Sequence, residues 1–305
     1  MEGRHAAFRD ELVSAGVLVE TGVLGVHGWS ADFDRVLHAL DDLVTTELTG
    51  TAERMVFPPV VPRIRLEETG YLHSFPHLAG AVFAFEGDEA TAQSMAAVAD
   101  GRGDWGSFLQ PSDLTLVPAA CYPIYPAVGA QGPLPSGGRL IDGGPGWVFR
   151  HEPSLDPARL QSFRTRELVR FGEPEVVAAW RDEWCERAVR LLRGLGLEAV
   201  PADAADPFFG RAGRMLAASQ REQRLKFEVV VPIASAEPTA VASFNYHQEH
   251  FTSLHGIAMA DGSVAHTACL GFGLERIVLG LYAAHGLDLA GWPTAARAAL
   301  DLGNG

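Results

Sequence analysis

The fold is decided by Trp147–Glu173, WVFRHEPSLDPARLQSFRTRELVRFGE. A short apolar run, Trp147-Val148-Phe149, delivers Arg150, His151 and Glu152 at its end. A proline-containing loop follows, and a second extended run then carries Phe163, Arg164, Arg166, Glu167 and Arg170. The spacing predicts a hairpin with a long polar loop. Side chains alternate across a strand, so Arg150 and Glu152, two apart, are expected on one face, together with residues of the returning strand. A guanidinium for a phosphate, a carboxylate for a base's amino group and a phenyl ring for a ring face together describe a nucleotide site.

The whole chain bounds this reading. Its 305 residues, 47% hydrophobic and 20% charged, suit a globular protein with a sizeable core. No linker or internal repeat stands out, so residues 1–305 are expected to form a single catalytic domain. No apolar run reaches the roughly 18 residues of a membrane span. The N-terminal MEGRHAAFRDEL lacks the apolar stretch of a signal peptide, which makes a cytoplasmic location the expectation. A net charge of −14 argues against a tRNA as the main partner, because neutralising many phosphates calls for the opposite balance. Three cysteines, Cys121, Cys185 and Cys269, are too few and scattered for a disulfide framework and form no C-x-x-C pair.

Along the chain, Ser30 reads as a helix N-cap. Behind it Phe33, Val36, Leu37, Leu40, Leu43, Val44 and Leu48 recur at three and four, predicting an amphipathic helix that ends before Gly50. Pro58, Pro59 and Pro62 forbid helix in the segment that follows. Leu114–Tyr125 is expected as a strand holding Cys121, and residues 129–146 as a Gly/Pro loop without a phosphate-cradle pattern. Pro174 opens a helix to about Leu195, whose apolar stripe leaves Cys185 a structural residue. Residues 211–226, with Arg211, Arg214, Arg221, Arg224 and Lys226, form the one basic stretch in an acidic chain. Three further strands are expected near its C-terminal side, the last running into Gly271-Phe272-Gly273-Leu274-Glu275-Arg276. That sextet is read as the start of a helix with Leu274, Ile277, Val278 and Leu281 facing a core. Strands clustered without helices between them indicate an antiparallel sheet, hence an α+β fold with helices flanking the sheet. An arginine in a helix's first turn is poorly placed against the dipole unless an anion or a ring rewards it, and a nucleotide supplies both.

Phe149-Arg150-His151-Glu152, loop, Phe163 resembles motif 2 of the class II aminoacyl-tRNA synthetases, and G-F-G-L-E-R resembles their motif 3. The helix and proline-bearing segment near residues 31–62 are similar, more loosely, to motif 1, the dimer-forming element. The resemblance implies a class II synthetase-like catalytic core. Cys121, Glu167 and Cys269 are similar to the Cys/Glu/Cys zinc site of the atypical, archaeal-type seryl-tRNA synthetases, which implies Zn²⁺ holding the amino group of an amino acid. The core leaves nothing for a tRNA-binding module, and a truncated core of this kind resembles the bacterial amino acid:[carrier protein] ligases.

That resemblance implies activation of glycine or alanine with ATP, and transfer to the phosphopantetheine thiol of a carrier protein, with tRNA absent from the reaction. It implies that Arg150 grips the α-phosphate, Glu152 accepts from the adenine amino group and Phe163 stacks on the ring. Arg276 would cover the ring's other side and reach the γ-phosphate, and Glu228 would hold Mg²⁺ on ATP. Lys226 and Asn245 are assigned to substrate contacts, and His247, His250 or a substrate phosphate could deprotonate the acceptor. An acidic carrier protein would suit docking on the basic segment 211–226, and a homodimer follows from the family. A seryl-tRNA synthetase-like enzyme and a catalytically silent paralogue are the alternatives, the second disfavoured because both motif arginines are present.

Overall fold

A computed structural model describes residues 2–47, 52–235 and 237–303. The chain opens with helix α1 (Glu2–Ser14) and a small hairpin, β1 (Leu18–Glu20) and β2 (His27–Trp29). Helix α2 (Ala31–Glu47) follows, capped by Ser30, whose Oγ accepts the Phe33 N–H at 3.1 Å. Phe33, Val36, Leu37, Leu40 and Val44 are buried as the periodicity predicts, while Leu48 and Gly50 lie outside the described residues.

Next come β3 (Glu53–Arg54), β4 (Val60–Pro62), α3 (Ile64–Glu68), α4 (Tyr71–Ser74), β5 (Ala81–Phe85), α5 (Glu89–Asp100), β6 (Leu109–Leu116) and α6 (Ile124–Gly129). Strands β4, β6 and β5 make a small separate sheet. The predicted hairpin is β7 (Arg139–Phe149) and β8 (Ser162–Gly172). The long helix α7 (Pro174–Gly194), β9 (Val200–Asp203), α8 (Gly210–Glu222), β10 (Lys226–Val231), β11 (Thr239–Gln248), α9 (His250–His255), β12 (His266–Gly273), α10 (Leu274–His285) and α11 (Thr294–Ala299) complete the chain.

Among the described residues the main sheet has seven strands in the order β3-β7-β8-β12-β11-β10-β9. Every pairing is antiparallel except β3 with β7, which is parallel over Glu53–Arg54. Alternation gives the sheet two working faces. Leu168, Val229, Phe244, Leu270 and Phe272 point into a core shared with α2, α7 and α10, where Leu274, Ile277, Val278 and Leu281 are fully buried. Each aliphatic side chain buried in this way contributes about 1.5–3 kcal/mol relative to exposure. The opposite face carries the site. A second cluster flanks it, with Tyr125 of α6 stacked on Phe251 of α9 at 4.0 Å.

Four expectations need correction. The strand before the hairpin ends at Leu116, so Cys121 sits in a turn closed by the Ile124 N–H to Cys121 carbonyl bond at 2.9 Å. Pro118 and Pro123 bracket that turn and lack the N–H a ladder needs. The supposed Gly/Pro loop is strand from Arg139 onward. A register shift between Asp142 and Pro145 absorbs Gly144, which is at φ +63° and whose N–H is accepted by Asp142 Oδ1 at 2.8 Å. Gly271-Phe272-Gly273 completes β12 and the helix begins only at Leu274. Finally, residues 211–226 are not one basic face, because α8 ends at Glu222 and Lys226 turns inward on β10.

Candidate active site

Cross-strand register assembles the site. One row runs Lys226, Asn245, Cys269 across β10, β11 and β12, each the direct partner of the next. The adjacent row on the same face runs Glu228, Ser243, Gly271, Glu167 across β10, β11, β12 and β8. Gly271 leaves the space between Glu167 and Ser243 open: a Cβ there would stand 3.4 Å from Glu167 Cγ and 3.2 Å from Thr165 Oγ1. These rows floor a cavity of about 520 Å³ whose walls include Tyr122, Phe208 and Phe251.

Phe163, Arg150 and Arg276 meet at one end of this cavity. The guanidinium carbons of Arg150 and Arg276 lie 5.8 and 5.5 Å from the centroid of the Phe163 ring. Arg276 is tied by its Nε to the Ala158 carbonyl at 2.9 Å and by its Nη1 to the Ala240 carbonyl at 3.1 Å. Arg150 donates from Nε to the Pro118 carbonyl at 3.3 Å. Burial, with help from the neighbouring Arg150, pushes the Arg276 guanidinium down to about 10, which leaves it charged at neutral pH. Two cations held beside one ring in a partly closed cavity form an anion-binding arrangement.

Glu152 stands apart. Its N–H bonds back to the Arg150 carbonyl at 2.8 Å, so the chain turns after Phe149 and the alternation expected for Arg150 and Glu152 does not apply. The Glu152 carboxylate lies 3.8 Å from Arg159 and is not among the residues lining the cavity.

At the other end Lys226 is buried between two acids, 2.6 Å from Asp206 and 3.0 Å from Glu228. Asp206 also accepts from Gln220 Nε2 at 2.8 Å. Burial opposes its ionisation, but Lys226 and Gln220 outweigh that and hold the carboxyl below the usual range. Lys226 and Glu228 are thus joined to each other as well as facing the cavity. Asp206 was missed in the sequence because it lies in an irregular segment, Ala204–Phe209, with no periodic pattern.

Cys121, Glu167 and Cys269 are brought together on the cavity floor, all buried. A hydrogen bond to Cys269, then burial and Glu167, push the Cys121 thiol up, and the same hydrogen bond holds Cys269 well below the usual thiol range. Asn245 Nδ2 donates to Cys269 Sγ at 3.5 Å, and His247 Nε2 lies 3.5 Å from the same sulfur. The donor types suit zinc. Their arrangement does not form a metal-binding group: among the described residues no three His, Cys, Asp or Glu side chains are set to hold an ion. The two oxygens of Glu167 are instead engaged by the N–H groups of Ala120 and Cys121, which they accept at 3.2 and 2.7 Å.

His247 and His250 both line the cavity, and burial followed by His247 pushes His250 down. Arg211, Arg214 and Arg221 are exposed on α8 beside exposed Phe209, Met215 and Leu216. No helix among the described residues is long and apolar enough to cross a membrane.

No protein-family model matches the chain. Among known proteins it is similar to amino acid--[acyl-carrier-protein] ligase 1 of Bradyrhizobium diazoefficiens, 45% identical over 279 residues, 91% of this chain and 85% of the relative. Ligase 2 of the same organism is 44% identical over 93% of this chain and 85% of its own length. The type-2 serine--tRNA ligase of Methanopyrus kandleri is 31% identical over 61% of this chain and 37% of its own. Among solved structures, M. kandleri SerRS bound to A. aeolicus tRNASec superposes with a TM-score of 0.80 at 24% identity, covering 97% of this chain and 60% of that one. By its sequence relatives and its fold, the chain belongs to the amino acid--[acyl-carrier-protein] ligase family, enzymes built on a class II aminoacyl-tRNA synthetase catalytic core.

Proposed function

We propose that the protein activates glycine or alanine with ATP as an aminoacyl-adenylate and passes the aminoacyl group to the phosphopantetheine thiol of a small acidic carrier protein. The observation that carries the reading is the convergence of Arg150 and Arg276 on Phe163 at one end of a cavity whose other end is the Lys226-Asn245-Cys269 row. Relatives named amino acid--[acyl-carrier-protein] ligases support the acceptor.

In the first step the amino acid's carboxylate attacks the α-phosphorus and pyrophosphate leaves. No protein nucleophile is needed, so the protein contributes placement and charge. Arg150 holds the α-phosphate and neutralises charge as pyrophosphate departs, while Arg276 covers the base and reaches the terminal phosphate. Phe163 offers the base its ring. Glu228 would hold Mg²⁺ on ATP, and Glu152, which the turn after Phe149 leaves outside the cavity lining, would swing inward to accept from the adenine amino group. Lys226 and Asn245 contact the amino acid.

Cys121, Glu167 and Cys269 are the side chains that would hold Zn²⁺ once Glu167 turned from the Ala120 and Cys121 N–H groups toward the thiols. This reading is supported by two thiols and a carboxylate buried on the floor beside Asn245. When bound, the ion would take the substrate's amino group and so select an α-amino acid. Tyr122 and Phe251 stand in the walls beside this floor, and their bulk would favour a small side chain. In the second step the acceptor thiol attacks the acyl carbonyl, a thioester forms and AMP leaves. His247 or His250 takes the thiol proton.

Residues 1–305 act as one catalytic unit in this reading, in the cytoplasm, as a homodimer. Exposed Phe83 and Leu114 of the small sheet support pairing with a second copy. The arginine face of α8 receives the acidic carrier protein.

The experiment is transfer of radiolabelled glycine, alanine and serine, each with ATP, to a holo carrier protein bearing phosphopantetheine. The apo carrier protein and bulk tRNA serve as parallel acceptors. Label on the holo carrier protein alone is expected; label on tRNA with serine would move the protein to the tRNA-charging reading.

A further inference from the structure

Arg150 and Arg276 are both held by the chain between β7 and β8. The Ala158 carbonyl accepts Arg276 Nε at 2.9 Å, and the Gln161 carbonyl accepts the Arg150 N–H at 2.8 Å. Gln161 is 5% exposed and every polar group it has is used. Its N–H donates to the Gly25 carbonyl at 2.7 Å and its Nε2 to the Leu24 carbonyl at 2.7 Å. Its Oε1 lies 3.0 Å from His151 Nδ1. Both carbonyls belong to the turn between β1 and β2, far from the arginines in sequence.

That turn is shaped for the contact. Gly25 sits at φ +73°, and a Cβ there would stand 3.1 Å from the Arg159 carbonyl and 3.2 Å from Gln161 Cγ, so a side chain would press on the residues it must meet. Thr21 Oγ1 closes the turn by donating to the Val26 carbonyl at 2.6 Å. Helix α1 also comes near the loop, with His5 Nδ1 3.3 Å from Asp156 Oδ1, the oxygen that accepts the Ala158 N–H at 2.9 Å. The β1–β2 turn therefore grips the loop at the residue whose carbonyl holds the Arg150 N–H.

We propose that Gln161 is a positioning residue for nucleotide binding, and that through it the β1–β2 turn sets where Arg150 stands and steadies the loop whose Ala158 carbonyl holds Arg276. The proposal rests on the reading of these arginines as ATP ligands. It adds a part of the site that carries none of the sequence motifs and acts through backbone carbonyls. Small displacements of groups that orient a reacting phosphate carry a large kinetic effect.

The test uses the full chain with Gln161→Ala and Gly25→Ala, and Val23→Ser at the exposed tip of the same turn as control, in amino-acid-dependent ATP–pyrophosphate exchange. Both test variants are expected to raise the KM for ATP roughly tenfold and to leave the KM for the amino acid close to the parent's. The lost hydrogen bonds or the strained turn should lower the melting temperature, which stays above the assay temperature. Val23→Ser should behave as the parent. If Gln161→Ala does not fold, Gly25→Ala decides alone. An unchanged KM for ATP, or a rise in both KM values that follows a fall in melting temperature, would overturn the proposal. Absence of exchange in the parent would overturn the nucleotide reading itself, and with it this proposal.

Discussion

The carboxylate of Glu275 accepts from Arg164 twice, from its backbone N–H at 2.8 Å and from its Nε at 2.9 Å. Glu275 is 1% exposed and precedes Arg276, while Arg164 follows Phe163. One ion pair thus clamps the first turn of α10 to β8, and so fixes a distance between two residues proposed to sandwich a base. Arg164 also reaches Asp34 of α2 at 2.9 Å, which carries the clamp to the first long helix. The glutamate looks in sequence like a helix-surface residue, yet it is the buried half of the joint.

Removing one member of a buried pair leaves an uncompensated charge. Glu275→Ala is expected to lower unfolding stability by about 3 kcal/mol, whereas Asp34→Ala, at a half-exposed partner, should cost below about 1 kcal/mol. Urea unfolding of the two variants measures both; equal losses would show that the clamp is not the buried joint described.

The Asp206–Lys226 contact gives a pH signature. The folded carboxyl lies below its unfolded value of about 4, so the folded state binds the proton less readily than the unfolded one. Its contribution is present above about pH 4 and is lost as pH falls through the lower folded value. Melting temperature against pH should therefore fall more steeply below about pH 4 in the parent than in Asp206→Asn; parallel curves would remove Asp206 from the account.

Charge reversal on α8 separates docking from chemistry. Arg214→Glu with Arg221→Glu should weaken aminoacyl transfer to a carrier protein, with a loss that shrinks as salt is raised, and leave adenylate formation intact. Equal loss of both steps, or of neither, would contradict docking there.

Much of this was legible in the residues, for physical reasons that differ by element. Helices α2 and α7 each bury one face, so their apolar residues recur at three and four, whereas α10 is buried on every side from Ile277 to Tyr282. Arg150, Phe163 and Arg276 stood out through their resemblance to motifs 2 and 3, while the contacts that bring them together, such as Arg276 Nε to the Ala158 carbonyl, are tertiary. Cys121 was assigned to a strand because LVPAACYPIY is apolar enough for one, while its prolines govern the backbone instead. The alternation expected of Arg150 and Glu152 let β7 run three residues too far, past a turn that no side-chain pattern marks. Gln161 was invisible, since its partners are carbonyls that any residue type could supply. Asp206 and Glu275 become significant only once tertiary packing brings Lys226 and Arg164 to them.

The metal reading has a direct chemical test. Cys121→Ser and Cys269→Ser should each lower zinc bound per chain, measured by elemental analysis after dialysis, and lower exchange activity together. Parent protein that is fully active with no zinc would dismiss the ion and leave the two thiols as core residues.

The most direct measurement of the central claim is ATP–pyrophosphate exchange on the parent protein across the small amino acids, with and without a zinc chelator. The account predicts exchange with glycine or alanine that is lost on chelation and restored by zinc. No exchange with any amino acid on folded, zinc-loaded protein, or exchange with serine in place of glycine and alanine, would contradict it.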